Sequence, residues 1–146
     1  MRKIADIMTE DCVTVTPQDS IVEVATLMKQ HDIGFVPVID NRKLIGVVTD
    51  RDMVIRGYAE NHSGSTSIRE VLTDEVKTVS PNTSIDEATA IMASGQIRRL
   101  PVVENGELVG VVSLGDLAVR EIFVNEAGEA LSEISEHVHQ GSAYSH

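Results

Sequence analysis

Aromatic side chains are scarce in this chain of 146 residues, which contains no tryptophan, two tyrosines and two phenylalanines. Hydrophobic residues still make up 42% of the sequence, so the chain has enough apolar surface for a core that is largely aliphatic. Proteins that bind single-stranded nucleic acids without sequence preference stack the bases on aromatic rings. The composition argues against a chain built around such stacking platforms.

Basic residues are also in the minority. Lysine and arginine number 12 against 23 aspartates and glutamates, which gives a formal net charge of −11. That balance repels phosphodiester backbones, and nucleic-acid-binding domains normally have the opposite one. We therefore expect no nucleic-acid partner. A small phosphorylated ligand is still compatible with the sequence, because it needs only one or two well-placed arginines.

Cysteine and long apolar runs are nearly absent. The single cysteine, Cys12, excludes an internal disulfide and fits a reducing compartment. Because no base lies beside it in the sequence, we interpret it as a small apolar residue. No apolar run approaches the length of a membrane span, and acidic residues begin at Asp6, too early for a signal peptide. We expect a cytoplasmic protein without a membrane partner.

The chain does contain an internal repeat. When the sequence is displaced by 64 residues, residues 4–56 align with 68–120 without a gap, and 19 of the 53 paired positions are identical. One copy of such a unit leaves an apolar face uncovered, which a second copy can bury. The repeat therefore predicts two related units packed about a pseudo-two-fold axis, with clefts where they meet.

Each copy shows the pattern of a β-α-β-β-α unit, and the predicted fold class is α+β (α/β). A β-branched run ending in proline predicts a first strand, at Thr14–Thr16 and again at 78–80. Ser20 with Glu23, and the equivalent pair at 84 and 87, have the spacing of a helix capping box. Two apolar runs then predict a hairpin, closed in the second copy by Asn-Gly. A short helix follows, over about 50–56 and 114–120.

These patterns divide the chain into four segments. Residues 1–60 form the first repeat, 61–67 a polar linker, 68–124 the second repeat, and 125–146 a tail that is partly helical and then disordered.

The corner after the second hairpin strand carries the most informative local motif. It reads Gly-Val-Val-Thr-Asp-Arg-Asp at 46–52 and Gly-Val-Val-Ser-Leu-Gly-Asp at 110–116. A hydroxyl and a carboxylate one helical turn apart can face one cleft, and a carboxylate can accept both hydroxyls of a vicinal diol. The same spacing also suits a helix N-cap pair, which stabilises by about 0.5–2 kcal/mol with no ligand. Spacing alone leaves both interpretations open.

These residues resemble a known family. The segments IADIMT, TVTPQDSIVEVATLM, GFVPVID and GVVTDRD, with their counterparts at 68–120, are similar to a CBS domain occurring twice. The resemblance covers about three quarters of the chain and leaves out the tail. It implies a stand-alone tandem CBS domain protein, also called a CBS pair or Bateman module, of the small bacterial type. Such modules are regulatory units that bind adenosine-containing ligands between their two repeats and commonly form dimers.

The resemblance also implies where the ligand would bind. In one cleft Asp52 would accept the ribose hydroxyls and Thr49 would lie near the phosphate. Arg98 or Arg99 of the other repeat would reach that phosphate, with Arg51 at the rim. The alternative for the arginine pair is a solvated strand edge.

An opposite cleft would use Ser113 and Asp116 with Gly34 and Phe35. Since it would lack the arginines, we expect it to bind anions more weakly or to hold only a nucleoside. The base would lie against strand residues, most of which would otherwise be core. These residues are Val13, Val15, Ile33, Val36, Pro37, Lys77, Val79, Ile97 and Pro101.

The sequence therefore predicts a regulatory module rather than an enzyme, because no nucleophile with an adjacent base is visible. The histidines match no metal-binding spacing, so we expect no metal and no required cofactor. The expected ligand is an adenine nucleotide, and the expected assembly is a homodimer that regulates an unidentified protein. The alternative is a ligand-independent dimerisation module with vestigial clefts.

Overall fold

A computed structural model describes residues 2–118 of the chain. The first repeat contains helix α1 (Ile21–His31) and strands β1 (Phe35–Asp40) and β2 (Lys43–Thr49). Helix α2 follows as one α-helical turn (Asp50–Asp52) that continues as a π-helix (Met53–Tyr58). The second repeat contains α3 (Ile85–Gly95), β3 (Arg99–Glu104), β4 (Glu107–Ser113) and a helical segment over 114–118. Short 3-10 helices open the two repeats at Ile4–Asp6 and Ile68–Glu70. The predictions for the tail and for the last turn before Arg120 lie outside these residues.

The two hairpins join in one four-stranded sheet of order β1-β2-β4-β3. Strands β1 and β2 pair antiparallel, as do β3 and β4, and Lys43 pairs with Glu107 where the hairpins meet. Both turns have two residues with positive φ, at Asn41 (50°) and Arg42 (70°) and at 105 and 106 (56° and 82°). Such turns match the twist of antiparallel strands. The predicted hairpins are confirmed, although Lys43 belongs to β2 rather than to the first turn.

The predicted first strand of each repeat is reduced to a single bridge. Val15 pairs in parallel with Val38, and Val79 pairs with Val102. The N–H of Val15 donates to the carbonyl of Pro37 (3.1 Å), but the next N–H, that of Thr16, turns away to donate to the Asp19 carboxylate (2.8 Å). The sequence prediction of a full strand was wrong because this local turn and the following proline end the pairing after one residue.

The caps of the long helices agree with the sequence. The Ser20 hydroxyl accepts from the N–H of Glu23 (3.2 Å), and the Glu23 carboxylate accepts from the N–H of Ser20 (3.0 Å). The pKa of the Glu23 carboxyl is lowered, first by the bond that it accepts from the Ser20 N–H and then by the Ser20 side chain. In α3 the Ser84 hydroxyl accepts from the N–H of Glu87 (3.1 Å). Both helices therefore begin where the capping pattern predicts.

The opening segments are exchanged between the repeats. Ile4 is fully buried in the hydrophobic cluster of the second repeat, whereas Ile68 and Val71 are fully buried in that of the first. The Ile4 N–H donates to the carbonyl of Thr83 (2.9 Å), and the Ile68 N–H donates to the carbonyl of Asp19 (2.7 Å). Each repeat thus supplies part of the other's core, so the two copies form one packed unit. No helix within residues 2–118 is long and apolar enough to cross a membrane.

Candidate ligand-binding clefts

The larger cleft lies between the repeats and has a volume of about 1080 Å³, close to the upper size of ordinary small-molecule sites. Its walls bring together Thr49, Arg51 and Asp52 of the first repeat with Arg98 and Arg99 of the second. These residues are the ones that the sequence places in one cleft. Gly34, Phe35, Ile33, Lys77 and Ile97 also line it.

The corner at Thr49 and Asp52 forms a helix cap. The Asp52 N–H donates to the Thr49 hydroxyl (3.1 Å), and the Thr49 N–H donates to Asp52 Oδ2 (3.0 Å). Both residues are half-buried and line the larger cleft. The cap interpretation is therefore correct, and the cap also holds the carboxylate at the cleft wall.

Thr73 is a cleft residue that the sequence reasoning missed. Its hydroxyl donates to both carboxylate oxygens of Asp52, each at 3.2 Å. Its backbone exchanges two hydrogen bonds with Val47 of β2, at 2.8 and 2.9 Å, because the opening segment of the second repeat runs beside that strand. The signal that could have found it is the repeat itself, which places threonine at both 9 and 73.

The larger cleft has a mixed electrostatic character. The side chains of Arg51, Arg98 and Arg99 are exposed at its walls. Among the described residues, four acidic and four basic side chains line the cleft, so their formal charges cancel. The acidic set is Asp32, Asp50, Asp52 and Glu75, and the basic set is Arg51, Lys77, Arg98 and Arg99. An anion in this cleft would depend on close contact with particular cations rather than on a general positive field.

Gly34 lies close to Asp50. A Cβ at position 34 would come within 2.6 Å of the exposed Asp50 carboxylate, which would have to move aside, and the backbone N–H of Asp50 donates to the Gly34 carbonyl (3.0 Å). In the second repeat the N–H of Leu114 makes the equivalent bond to the carbonyl of Arg98 (2.7 Å). The structure places Gly34 in the larger cleft and not, as the sequence interpretation had it, in the opposite one.

The smaller cleft, of about 350 Å³, is the pseudo-symmetric counterpart of the larger. Ser113 and Asp116 line it as Thr49 and Asp52 line the other, and the Asp116 N–H donates to the Ser113 hydroxyl (3.1 Å). Phe35 lies here as expected, and so does Arg99. The expectation that this cleft lacks an arginine was therefore wrong. The reason is register, because Arg99 of β3 pairs directly with Ser113 of β4. Thr9, Asp11, Cys12 and His31 also line this cleft and were missed.

The residues proposed for the base divide into two groups. Ile97 and Lys77 line the larger cleft, Val13 and Pro37 the smaller, and Ile33 both. The remaining four are buried and line neither cleft, namely Val15, Val36, Val79 and Pro101. Val36 is fully buried, and Val15 and Val79 point into the hydrophobic clusters. Val36 lies between the cleft residues Phe35 and Pro37, and alternation along β1 sends its side chain to the opposite side of the strand.

Two copies of one α+β unit, joined through one sheet and enclosing paired clefts, define a tandem-repeat module. The family model for the CBS domain matches residues 4–56 and 68–121. The chain belongs to the CBS domain family, as a pair of CBS repeats.

Relatives and solved structures agree with this assignment. The CBS domain-containing protein YhcV of Bacillus subtilis is 44% identical over 135 residues, which is 92% of this chain and 96% of YhcV. Hypoxic response protein 1 of Mycobacterium tuberculosis is 36% identical over 120 residues, which is 81% of this chain and 84% of that protein. A crystal structure of Hypoxic Response Protein I with two coordinated zinc ions has a TM-score of 0.76 at 34% identity and covers 82% of this chain and 99% of that one.

The CBS domain pair of protein MJ0100 is similar as well, with a TM-score of 0.72 at 28% identity, covering 81% of this chain and 94% of that one. It was solved in complex with 5′-methylthioadenosine and S-adenosyl-L-methionine. In this chain, residues 2–118 contain no group of three or more histidine, cysteine or acidic side chains that could hold a metal ion.

Proposed function

We propose that the chain is a regulatory module that binds an adenosine-containing ligand in the larger cleft. One observation carries the proposal: Asp52 and Thr49 of one repeat and Arg98 and Arg99 of the other line a single cleft. The complex of the MJ0100 pair with two adenosine compounds supports this class of ligand.

Each part of such a ligand has a chemical counterpart in the cleft. The Asp52 carboxylate would accept the two ribose hydroxyls, which exchange for the weak bond from Thr73. A phosphate would bind at the guanidinium groups of Arg98 and Arg99, for which bidentate contacts are the strong geometry. The base would lie against the half-buried side chains of Ile33 and Ile97.

The proposed signal is a shift in the relative arrangement of the two repeats. A ligand held by both repeats favours the arrangement in which both sets of contacts form. The exchanged opening segments couple this change to both hydrophobic clusters. A homodimer would pass the change to a regulated protein, and the module needs no cofactor and performs no chemistry itself.

The test begins with a thermal-shift panel of AMP, ADP, ATP, NAD, S-adenosylmethionine and cyclic dinucleotides. The compound with the largest shift is then titrated calorimetrically into wild-type protein and the Asp52→Asn variant. We expect the variant to bind about 10- to 100-fold more weakly, because charge-assisted bonds contribute about 1.5–3 kcal/mol. Asp86→Asn, an exposed change on α3, serves as the matched control and should bind as wild type. The proposal fails if no compound binds.

A second candidate function, ligand-independent dimerisation, is favoured by exposed apolar side chains. Val22, Val54, Ile55 and Tyr58 are 55%, 57%, 52% and 84% exposed on α1 and α2, which pack together. This function predicts no thermal shift with any adenosine compound. It also predicts that Ile55→Glu converts a dimer to a monomer in sedimentation equilibrium, whereas Glu60→Gln does not.

A further inference from the structure

Arg99 lines both clefts. It is the first residue of β3, where the two pseudo-symmetric clefts approach each other, and its side chain is exposed. The position equivalent to it in the first repeat is Phe35, which also lines both clefts. The first repeat therefore offers an uncharged ring at the place where the second offers a guanidinium.

The clefts differ in how much they depend on this guanidinium. The larger cleft has three other basic residues in its wall, Arg51, Lys77 and Arg98. Among the described residues that line the smaller cleft, Arg99 is the only lysine or arginine, and Asp11, Asp116 and His31 line the same cleft. A phosphate there would therefore depend chiefly on the Arg99 guanidinium, the one permanently charged cation of this described lining.

We propose that the two clefts compete for Arg99, so that a phosphorylated ligand in the larger cleft weakens binding of a second phosphorylated ligand in the smaller one. One guanidinium cannot make close bidentate contacts to two phosphates in separate clefts. An uncharged nucleoside has no phosphate for Arg99 to contact, so a phosphorylated ligand in the larger cleft leaves nucleoside binding to the smaller cleft unchanged. The inference rests on the proposed function. It adds that the protein binds one nucleotide in the larger cleft together with one nucleoside in the smaller cleft.

The competition is measured with AMP and adenosine as probes. Asp52→Asn weakens AMP binding to the larger cleft by about 10- to 100-fold, so AMP that binds this variant at concentrations too low to fill the larger cleft reports the smaller cleft with Arg99 available. We expect the smaller cleft of this variant to bind AMP about tenfold or more tightly than wild-type protein binds its second AMP. This ratio is the size of one charge-assisted contact. For adenosine, the smaller cleft should have the same affinity in both proteins within about twofold. Ile97→Trp, which narrows the proposed base-binding part of the larger cleft without changing its charges, replaces Asp52→Asn if that variant does not fold.

Phe35→Arg is the control that separates sharing from simple repulsion between two phosphates. It supplies a second guanidinium at the pseudo-symmetric position, so the difference between the AMP measurements should fall below about threefold. Arg99→Gln should weaken AMP binding to the smaller cleft by about tenfold or more and leave adenosine binding intact. Independent AMP sites in wild-type protein, or coupling that persists unchanged in Phe35→Arg, overturns the inference. Both results leave the proposed function standing, whereas failure of every adenosine compound to bind removes that function itself.

Discussion

The two clefts have the same backbone construction and different charges. A hydroxyl and a carboxylate occupy equivalent places in both, as Thr49 with Asp52 and as Ser113 with Asp116. The basic residues of the larger cleft have no such counterparts, since Lys77 corresponds to Val13 and Arg98 to Gly34. The repeat therefore preserves in both clefts the corner that would hold a sugar. The charge of each cleft is set instead by residues that differ between the two copies.

The two carboxylates also differ in how they are held. Asp52 is half-buried and accepts from the Thr49 N–H and the Thr73 hydroxyl. Asp116 is exposed, and within residues 2–118 no hydrogen bond joins it to Thr9, the counterpart of Thr73. A carboxylate that is already oriented loses less freedom when a ligand binds, so the larger cleft is the better prepared of the two.

The largest effect is expected from breaking the exchange of opening segments. Ile68→Ala removes a fully buried side chain from the cluster of the first repeat and should lower the free energy of unfolding by about 2–5 kcal/mol. Ile4→Ala should do the same in the second repeat, where Ile4 is equally buried. Denaturant unfolding measures both. Gln30→Ala on the exposed side of α1 is the control, with a change of about 0.5 kcal/mol or less. Losses below about 1 kcal/mol for both core variants would contradict the exchanged packing.

A comparison of Gly46 with Gly115 tests the contact between the opening segment of the second repeat and strand β2. At Gly46 a Cβ would come within 2.5 Å of the Thr73 carbonyl oxygen, a backbone atom that cannot move aside alone. We expect Gly46→Ala to destabilise by about 1–3 kcal/mol, because β2 and the segment must separate.

At Gly115 a Cβ would meet only the Ser113 hydroxyl at 3.9 Å, so Gly115→Ala should be neutral or slightly stabilising. Thermal unfolding of Gly46→Ala and Gly115→Ala measures the difference, and we expect the lower melting temperature for Gly46→Ala. Equal melting temperatures would count against the close approach of Thr73 to β2.

A smaller effect is expected from the two equivalent threonines. Thr73→Val keeps the side-chain shape but removes the donor to Asp52, and should cost about 1 kcal/mol of stability. Thr9→Val, the same change in the smaller cleft, should cost less than about 0.5 kcal/mol because its hydroxyl makes no such bond within residues 2–118. Urea titrations of the pair at one pH give both values. Equal losses would mean that the carboxylates of the two clefts are held alike.

Sequence reasoning reached the pairing of clefts but not their detailed lining. The hairpins, the helix caps and the corner at Thr49 and Asp52 follow from local patterns, since turn and cap residues act within a few positions of themselves. The exchange of Ile4 and Ile68 could not be predicted in this way, because local sequence patterns do not determine which repeat's hydrophobic cluster an apolar residue enters. The position of Arg99 at both clefts depends on the pairing of Arg99 with Ser113 in the sheet. The burial of Val15 in the core, away from the clefts, depends on its single bridge to Val38.

The smallest effect concerns Cys12, which lines only the smaller cleft, where the larger has Val76. Burial raises the pKa of this thiol, outweighing its own backbone hydrogen bond, and the neighbouring Asp11 carboxylate raises it further. Because the thiolate is the reactive form, alkylation by iodoacetamide should be slow at neutral pH and accelerate as the pH rises toward the raised pKa. Adenosine bound in the smaller cleft should slow the reaction about twofold to fivefold, and Asp116→Asn should remove that protection while Asp52→Asn retains it. Mass spectrometry of the alkylated chain follows both rates, and protection that depends on Asp52 instead would assign the bound ligand to the larger cleft.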